Sequence, residues 1–208
     1  QGLPSPAVYA MLEDSAGDFW IGTAGGLARL GSSGVERVFT HADGLPNNVV
    51  LALAETSDGA LWVGTNGGLA RRWGDEFETW TREHGLPSNV TRSFLEDRAG
   101  QLWIGTNGGG LLRFDGERFD TFGRADGLSS DLVLSLHESS DGALWIGTDG
   151  GGLSRFQGGR FTVYGRESGL DDLVVNHLLE DGAGHLWYHG DFGVYRLDLA
   201  ELDAWARG

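Results

Sequence analysis

Residues 85–112 read "GLPSNVTRSFLEDRAGQLWIGTNGGGLL", and the stretch recurs along the chain. "SDGALWVGTNGGLARR" fills 57–72 and "SDGALWIGTDGGGLSRF" fills 140–156. Weaker copies, "SAGDFWIGTAGGLARL" and "GAGHLWYHGDFGVYRL", begin at Ser15 and Gly182. The tryptophan of the motif falls at Trp20, Trp62, Trp103, Trp145 and Trp187, at spacings of 42, 41, 42 and 42. A second marker keeps the same spacings: Gly2-Leu3-Pro4, Gly44-Leu45-Pro46, Gly85-Leu86-Pro87, Gly127-Leu128 and Gly169-Leu170. Two independent markers with one period establish an internal repeat, in which each unit must stack on its neighbours to bury its faces.

Inside one repeat the apolar alternation has period 2, the period of a strand. "VVLALAE" (49–55) is an apolar run, "ALWVGT" (60–65) follows a Ser-Asp-Gly turn, "GLARRW" (68–73) follows Asn66-Gly67, and "EFETW" (76–80) supplies a fourth strand. Asn-Gly is a strong hairpin signal because that turn needs positive φ. Four short antiparallel strands in ~40–45 residues make one propeller blade. The expected fold is all-β, a β-propeller of five four-stranded blades in a single domain over 1–208. The blades are placed at 2–43, 44–84, 85–126, 127–168 and 169–208. Five blades either close a ring by side-chain packing alone or form part of a larger propeller. The tryptophan column reads as packing between blades rather than as an exposed platform for sugars, because large aromatics dominate core energetics.

Composition agrees. Glycine supplies 36 of 208 residues against only four prolines, well above the usual ~7% and a sign of many tight turns. There is no cysteine, so no disulfide framework exists and the redox compartment stays open. The formal charge of −15 repels phosphate backbones and argues against nucleic acid as a partner. No apolar run approaches the ~20 residues of a membrane span, so no direct membrane contact is expected from this segment. The chain begins at Gln1 without a signal-like segment, which reads as a mature product or a cut fragment.

No catalytic or metal motif stands out. There is no glycine-rich loop followed by lysine, no nucleophile elbow and no His-x-x-x-His pair. "TNGGG" lies in a hairpin and reads as a turn. No cofactor is expected. Glu13, Glu55, Glu96, Glu138 and Glu180 share one column, and Arg29, Arg71, Arg113, Arg155 and Arg196 another, which suggests structural ion pairs or turn hydrogen bonds.

Ligand contacts are sought in two loop sets on one face. The loop into each inner strand holds Asn47, Asn48, Asn89, Asp131 and Asp172, and the second-to-third-strand hairpin holds Asn66, Asn107, Asp149 and Asp191. These residues also suit turns for their own sake. Broken columns are the sharper signal. Arg92 and Asn176 stand with Tyr9, Leu51 and Leu134; His177 stands with Ala10, Ala52, Ser93 and Ser135; His189 replaces the glycine of Trp-Ile-Gly-Thr. Arg92 is expected beside the channel, matched by a carboxylate, water or ligand, since a buried unpaired arginine is costly. His137 reads as a satisfied core histidine, and Trp73, where other copies carry Asp115 or Gln157, as exposed.

The pattern Gly-Leu-Pro, apolar strand, Glu-Asp, Leu-Trp-Ile-Gly-Thr-x-Gly-Gly-Leu resembles the two-component regulator propeller repeat, fullest at 85–112 and extending over all five repeats. The resemblance implies the periplasmic or extracellular sensor segment of a hybrid histidine kinase or membrane-bound diguanylate cyclase. It implies a non-catalytic role: binding an unknown small molecule or carbohydrate near the channel mouth or across a homo-oligomer, with the output domain elsewhere. A repeat scaffold with no ligand of its own is the first alternative. A streptogramin-lyase-like enzyme is the second, since His177, His185 and His189 share one blade. The last repeat departs most. "AELDAWARG" (200–208) reads either as a fourth strand or as a short helix capped by Asp198. The first and fifth blades each have one face that needs a partner.

Overall fold

The computed structural model describes residues 2–74 and 76–207; Gly208, the last residue of the stretch just named, lies outside them. Five antiparallel sheets follow one another. The first holds β1 (Val8–Glu13), β2 (Phe19–Thr23), β3 (Gly26–Gly31) and β4 (Gly34–Phe39), and the second β5 (Val50–Glu55), β6 (Leu61–Thr65), β7 (Leu69–Trp73) and β8 (Glu76–Trp80). The third holds β9 (Thr91–Glu96), β10 (Leu102–Thr106), β11 (Leu111–Phe114) and β12 (Phe119–Phe122), and the fourth β13 (Val133–Glu138), β14 (Leu144–Thr148), β15 (Leu153–Gln157) and β16 (Arg160–Tyr164). The fifth has three strands, β17 (His177–Glu180), β18 (His185–His189) and β19 (Val194–Asp198), and α1 (Leu199–Arg207) takes the place of a fourth. In each sheet the strands neighbour one another in sequence order. The chain divides into two compact units, 1–104 and 105–208, with the division inside β10.

Both sequence markers have a mechanical reason. Blades one to four end in a 3-10 turn, at His41–Asp43, Arg82–His84, Arg124–Asp126 and Arg166–Ser168. Each turn is closed by the marker glycine, Gly44, Gly85, Gly127 or Gly169, at φ 104°, 93°, 104° and 92°. Glycine adopts that left-handed conformation without steric cost, and the leucine after it, from Leu45 to Leu170, is buried. In the other marker, tryptophan fills space and glycine leaves it. A Cβ on Gly22 would lie 2.7 Å from Val50 Cγ1, and one on Gly64 2.9 Å from Thr91 Cγ2, so the first strand of the next blade rests on that glycine.

The cores form at these joints. In the first unit Trp20, Leu27 and Phe39 pack against Leu45, Val50, Leu61, Val63 and Ala70 of the next blade. In the second unit Trp145, Leu153 and Tyr164 pack against Leu170, Val175, Leu186, Tyr188 and Leu202. The buried indoles keep a polar contact: Trp20 Nε1 donates to Asp14, Trp103 to Asp97 and Trp145 to the Ser139 hydroxyl, at 2.8, 2.8 and 3.2 Å.

Glu55, Glu96 and Glu180 of the glutamate column make turn hydrogen bonds, and Arg29, Arg71, Arg113 and Arg155 of the arginine column make ion pairs with aspartates. Glu55 accepts the Ser15 N–H and hydroxyl, both at 2.7 Å, and Glu96 does the same for Ser57. Glu180 accepts the Ser140 N–H at 3.0 Å and hydroxyl at 2.8 Å. Each of these three carboxylates therefore clasps the turn of the preceding blade. Arg29, Arg71 and Arg155 pair with Asp18, Asp58 and Asp141 of their own blade.

The hairpin expectation needs a correction. Asn66 does not adopt positive φ; Gly68 does, and among the described residues only glycines do. The turn chemistry resides in the glycine run after the asparagine.

The undecided end of the chain is a helix. Asp198 Oδ1 accepts from the N–H of Ala200 at 2.8 Å and of Glu201 at 3.2 Å, the pattern of an N-cap. Leu202 enters the core, and the Trp205 ring lies 5.4 Å from that of Tyr164. Asp198→Ala is expected to cost about 1 kcal/mol. Amide exchange over 200–206 should accelerate about fivefold, while β13 and β14 keep their protection.

Candidate functional site

Four of the sequence candidates meet at one end of the β17–β18 hairpin. His177 and His189 are cross-strand partners, so both imidazoles stand on one face, and both are exposed. The Asn176 amide donates to Asp191 Oδ1 at 3.3 Å, and the Asn176 N–H donates to the His189 carbonyl at 2.8 Å. In the earlier blades these positions hold small residues opposite glycine, as Ala10 faces Gly22 and Ser135 faces Gly147. The hairpin end therefore presents two imidazoles where the other repeats present little but backbone, beside the Asn176 amide and the Asp191 carboxylate. Phe192, 88% exposed in the adjoining turn, escaped the sequence reading; its signal was replacement of Gly25, Gly67, Gly108 and Gly150.

The turn is held from below. Asp172 is buried and accepts the N–H of Val174 and of Phe192, both at 3.0 Å; these two N–H groups, Val174 first, hold its carboxyl below the usual carboxylate range. The Trp187 indole N–H acts likewise on Asp181. Against the desolvation penalty, and with the N–H groups of Ala183 and His185, it lowers that carboxyl from 3.8 to about 2. A depressed carboxyl stabilises the fold above its unfolded value and loses that effect as pH falls through its folded value. The fifth blade should therefore loosen between pH 3.8 and about 2. Comparing the tryptophan emission of the chain and of Asp181→Asn through this window checks it, the variant showing a smaller step.

The remaining candidates do structural work or stand apart. Asn48, Asn89 and Asp131 reach back to the 3-10 turns, accepting the N–H of His41, Arg82 and Arg124 at 2.7, 2.6 and 2.9 Å. Asn66, Asn107 and Asp149 are exposed in their hairpin turns. Arg92 is exposed at the start of β9, and its guanidinium has no carboxylate partner among the described residues. Its row explains the exposure. Tyr9, Leu51 and Leu134 are each skipped by a register shift, so this position is a bulge that turns its side chain out of the ladder. His137 is half-buried, with Nε2 3.5 Å from the Glu180 clasp, and Trp73 is exposed under the Arg71 guanidinium at 4.6 Å. No group of three or more metal-ligating side chains occurs among the described residues.

Antiparallel meanders stacked second strand to first strand, with one motif at the joints within each unit, define a propeller-type repeat chain. Residues 2–25, 44–67, 85–108 and 127–150 match the repeat of the two component regulator propeller family. Solved structures agree on the fold. The extracellular domains of two proteins described as hybrid two component systems of B. thetaiotaomicron align with TM-scores of 0.84 and 0.80, each at 24% identity over 92% of this chain. This chain spans 27% and 29% of theirs. Virginiamycin B lyase from Staphylococcus aureus aligns with a TM-score of 0.70 at 17% identity, over 92% of this chain and 70% of that one. No curated protein sequence matches. No helix among the described residues is long and apolar enough to cross a membrane.

Proposed function

We propose that this chain is a non-catalytic, ligand-binding segment of a bacterial signalling receptor, placed on the periplasmic or extracellular side, with its output elsewhere in the receptor. The family match and the extracellular domains of similar fold support the receptor reading. One observation carries the ligand site: Asn176, His177, His189 and Asp191 converge where the repeat is broken. Two imidazoles, an amide and a carboxylate offer donors and acceptors together, which suits a small polar molecule, carbohydrates included. The test is a thermal-shift screen of sugars, amino acids and short oligosaccharides, since a ligand that binds only the folded chain raises its melting temperature. His177→Ala with His189→Ala should weaken any hit at least about tenfold, equivalent to ~1.4 kcal/mol, without lowering the melting temperature of the free chain. A hit untouched by this pair, yet lost in Arg92→Ala or Asn66→Ala, would move the site to the first unit.

A second reading is enzymatic. The lyase of similar fold and the exposed histidine pair favour it, with the imidazoles as acid and base. Incubation with quinupristin, the compound bound in one lyase structure, tests it by mass spectrometry; an unchanged compound removes that substrate.

A further inference from the structure

The chain has six histidines, and four of them are tied to a neighbour. His41 Nδ1 lies 2.8 Å from the Leu45 carbonyl oxygen, and His84 Nδ1 accepts the Thr81 N–H at 3.1 Å. His137 Nε2 faces the Glu180 carboxylate at 3.5 Å, and His185 Nδ1 faces the Asp181 carboxylate at 3.1 Å. His177 and His189 differ twice over. Neither ring holds a hydrogen bond or an ion pair among the described residues. The β17–β18 register also sets them directly opposite each other, both exposed, a placement in which Cβ atoms stand ~4.5–5.5 Å apart on one face. The same cross-strand position elsewhere offers no nitrogen: it holds Ala10 with Gly22, Ala52 with Gly64, and Ser135 with Gly147.

We infer that His177 and His189 form a two-imidazole chelating site for a divalent transition-metal ion, Cu²⁺ ahead of Ni²⁺ and Zn²⁺. The ligand chemistry sets the class of ion: imidazole nitrogen suits copper, nickel and zinc, whereas magnesium and calcium take oxygen ligands. Among these ions the general order of affinity for a given nitrogen site places Cu²⁺ first. The ladder supplies the chelate. Once one imidazole has taken the ion, the strand pairing holds the other beside it, so the second bond forms at a high effective concentration. The exposed side chains can turn toward a shared ion without disturbing the buried Tyr188 between the strand faces. The formal charge of −15 raises the cation concentration near the surface. No group of three or more ligating side chains occurs among the described residues, so the remaining coordination positions fall to water or to a ligand that replaces it. The inference goes beyond the organic ligand proposed above while sharing its residues, and either occupant can fail without the other.

The test is calorimetric titration of the untagged chain with the chlorides of Cu²⁺, Ni²⁺, Zn²⁺ and Mg²⁺. Cu²⁺ should bind most tightly, Ni²⁺ and Zn²⁺ more weakly, and Mg²⁺ not at all. His177→Ala and His189→Ala, each made alone, should weaken binding by at least about tenfold, because one imidazole remains and the chelate is lost. His84→Ala should leave it unchanged. Amide spectra give a second measurement that needs no variant: sub-stoichiometric Cu²⁺, being paramagnetic, should broaden the signals of 176–178 and 188–190 first. The inference is overturned by absence of binding at about 1 mM ion, a very weak limit, by equal binding of Mg²⁺, by binding that survives both single variants, or by broadening centred elsewhere. Metal binding without any sugar hit supports this inference and tells against the organic ligand. A sugar hit lost in the double variant, with no metal bound, does the reverse.

Discussion

Trp145→Ala should lower stability by about 3–5 kcal/mol, the cost of emptying a large buried aromatic site. Trp145 is fully buried and lies at the centre of a joint that includes Leu153, Tyr164, Val175 and Leu186. Its removal opens a void bounded by two blades, and strands of both sides would have to move together to fill it. It also leaves the Ser139 hydroxyl without the indole N–H. Urea unfolding of the variant gives the value, with Trp73→Ala as the surface comparison. Trp73 is half exposed and held by one cation–π contact, so its loss should stay below about 1 kcal/mol. Similar losses in the two variants would mean that Trp145 does not sit in a packed joint.

Gly147→Ala should also destabilise strongly, near the upper end of the ~1–3 kcal/mol of overpacking. The added Cβ would come 2.6 Å from the carbonyl oxygen of Val175, which is backbone and cannot rotate away. The cause is lack of room, since Gly147 does not have positive φ. Gly165→Ala separates the two effects: its Cβ would meet nothing within 4 Å, and its φ of −136° suits any residue. It should change stability by less than about 0.5 kcal/mol. A Gly147 variant as stable as the Gly165 variant would show that the next blade does not rest on this glycine.

These residues also show what the sequence made legible. Trp145 and Gly147 announce themselves because the joints within each unit are built from the same contact, so packing is written as a column. The Gly-Leu marker is legible for the same reason, each glycine capping one turn. Where a residue acts once, no column reports it. Asp198 and the 200–206 segment had both strand and helix character, and only the side-chain cap together with burial of Leu202 decides for the helix. The site is legible in part. The breaks at His177 and His189 stood out singly, but their meeting depends on the β17–β18 register, which spacing does not give. Asn48, Asn89 and Asp131 were ambiguous because an amide that serves a turn and one that serves a ligand are the same residue; here their oxygens are taken by backbone N–H groups. The exposure of Arg92 is not legible from alternation, because a bulge residue leaves the ladder on which alternation rests.

The clasp divides a single fastener between two copies of the repeat. Glutamate lies near the end of a first strand, and the serine it grips lies two residues farther along the preceding copy, as in Glu55 with Ser15 of the copy that also holds Glu13. A period such as 44–84 carries one half of each kind, Glu55 and Ser57. Duplication of a whole period inside such an array adds one complete fastener and disturbs none, whereas gain or loss of part of a period leaves a hook without an eye. The joint thus selects whole copies as the unit by which the gene lengthens or shortens.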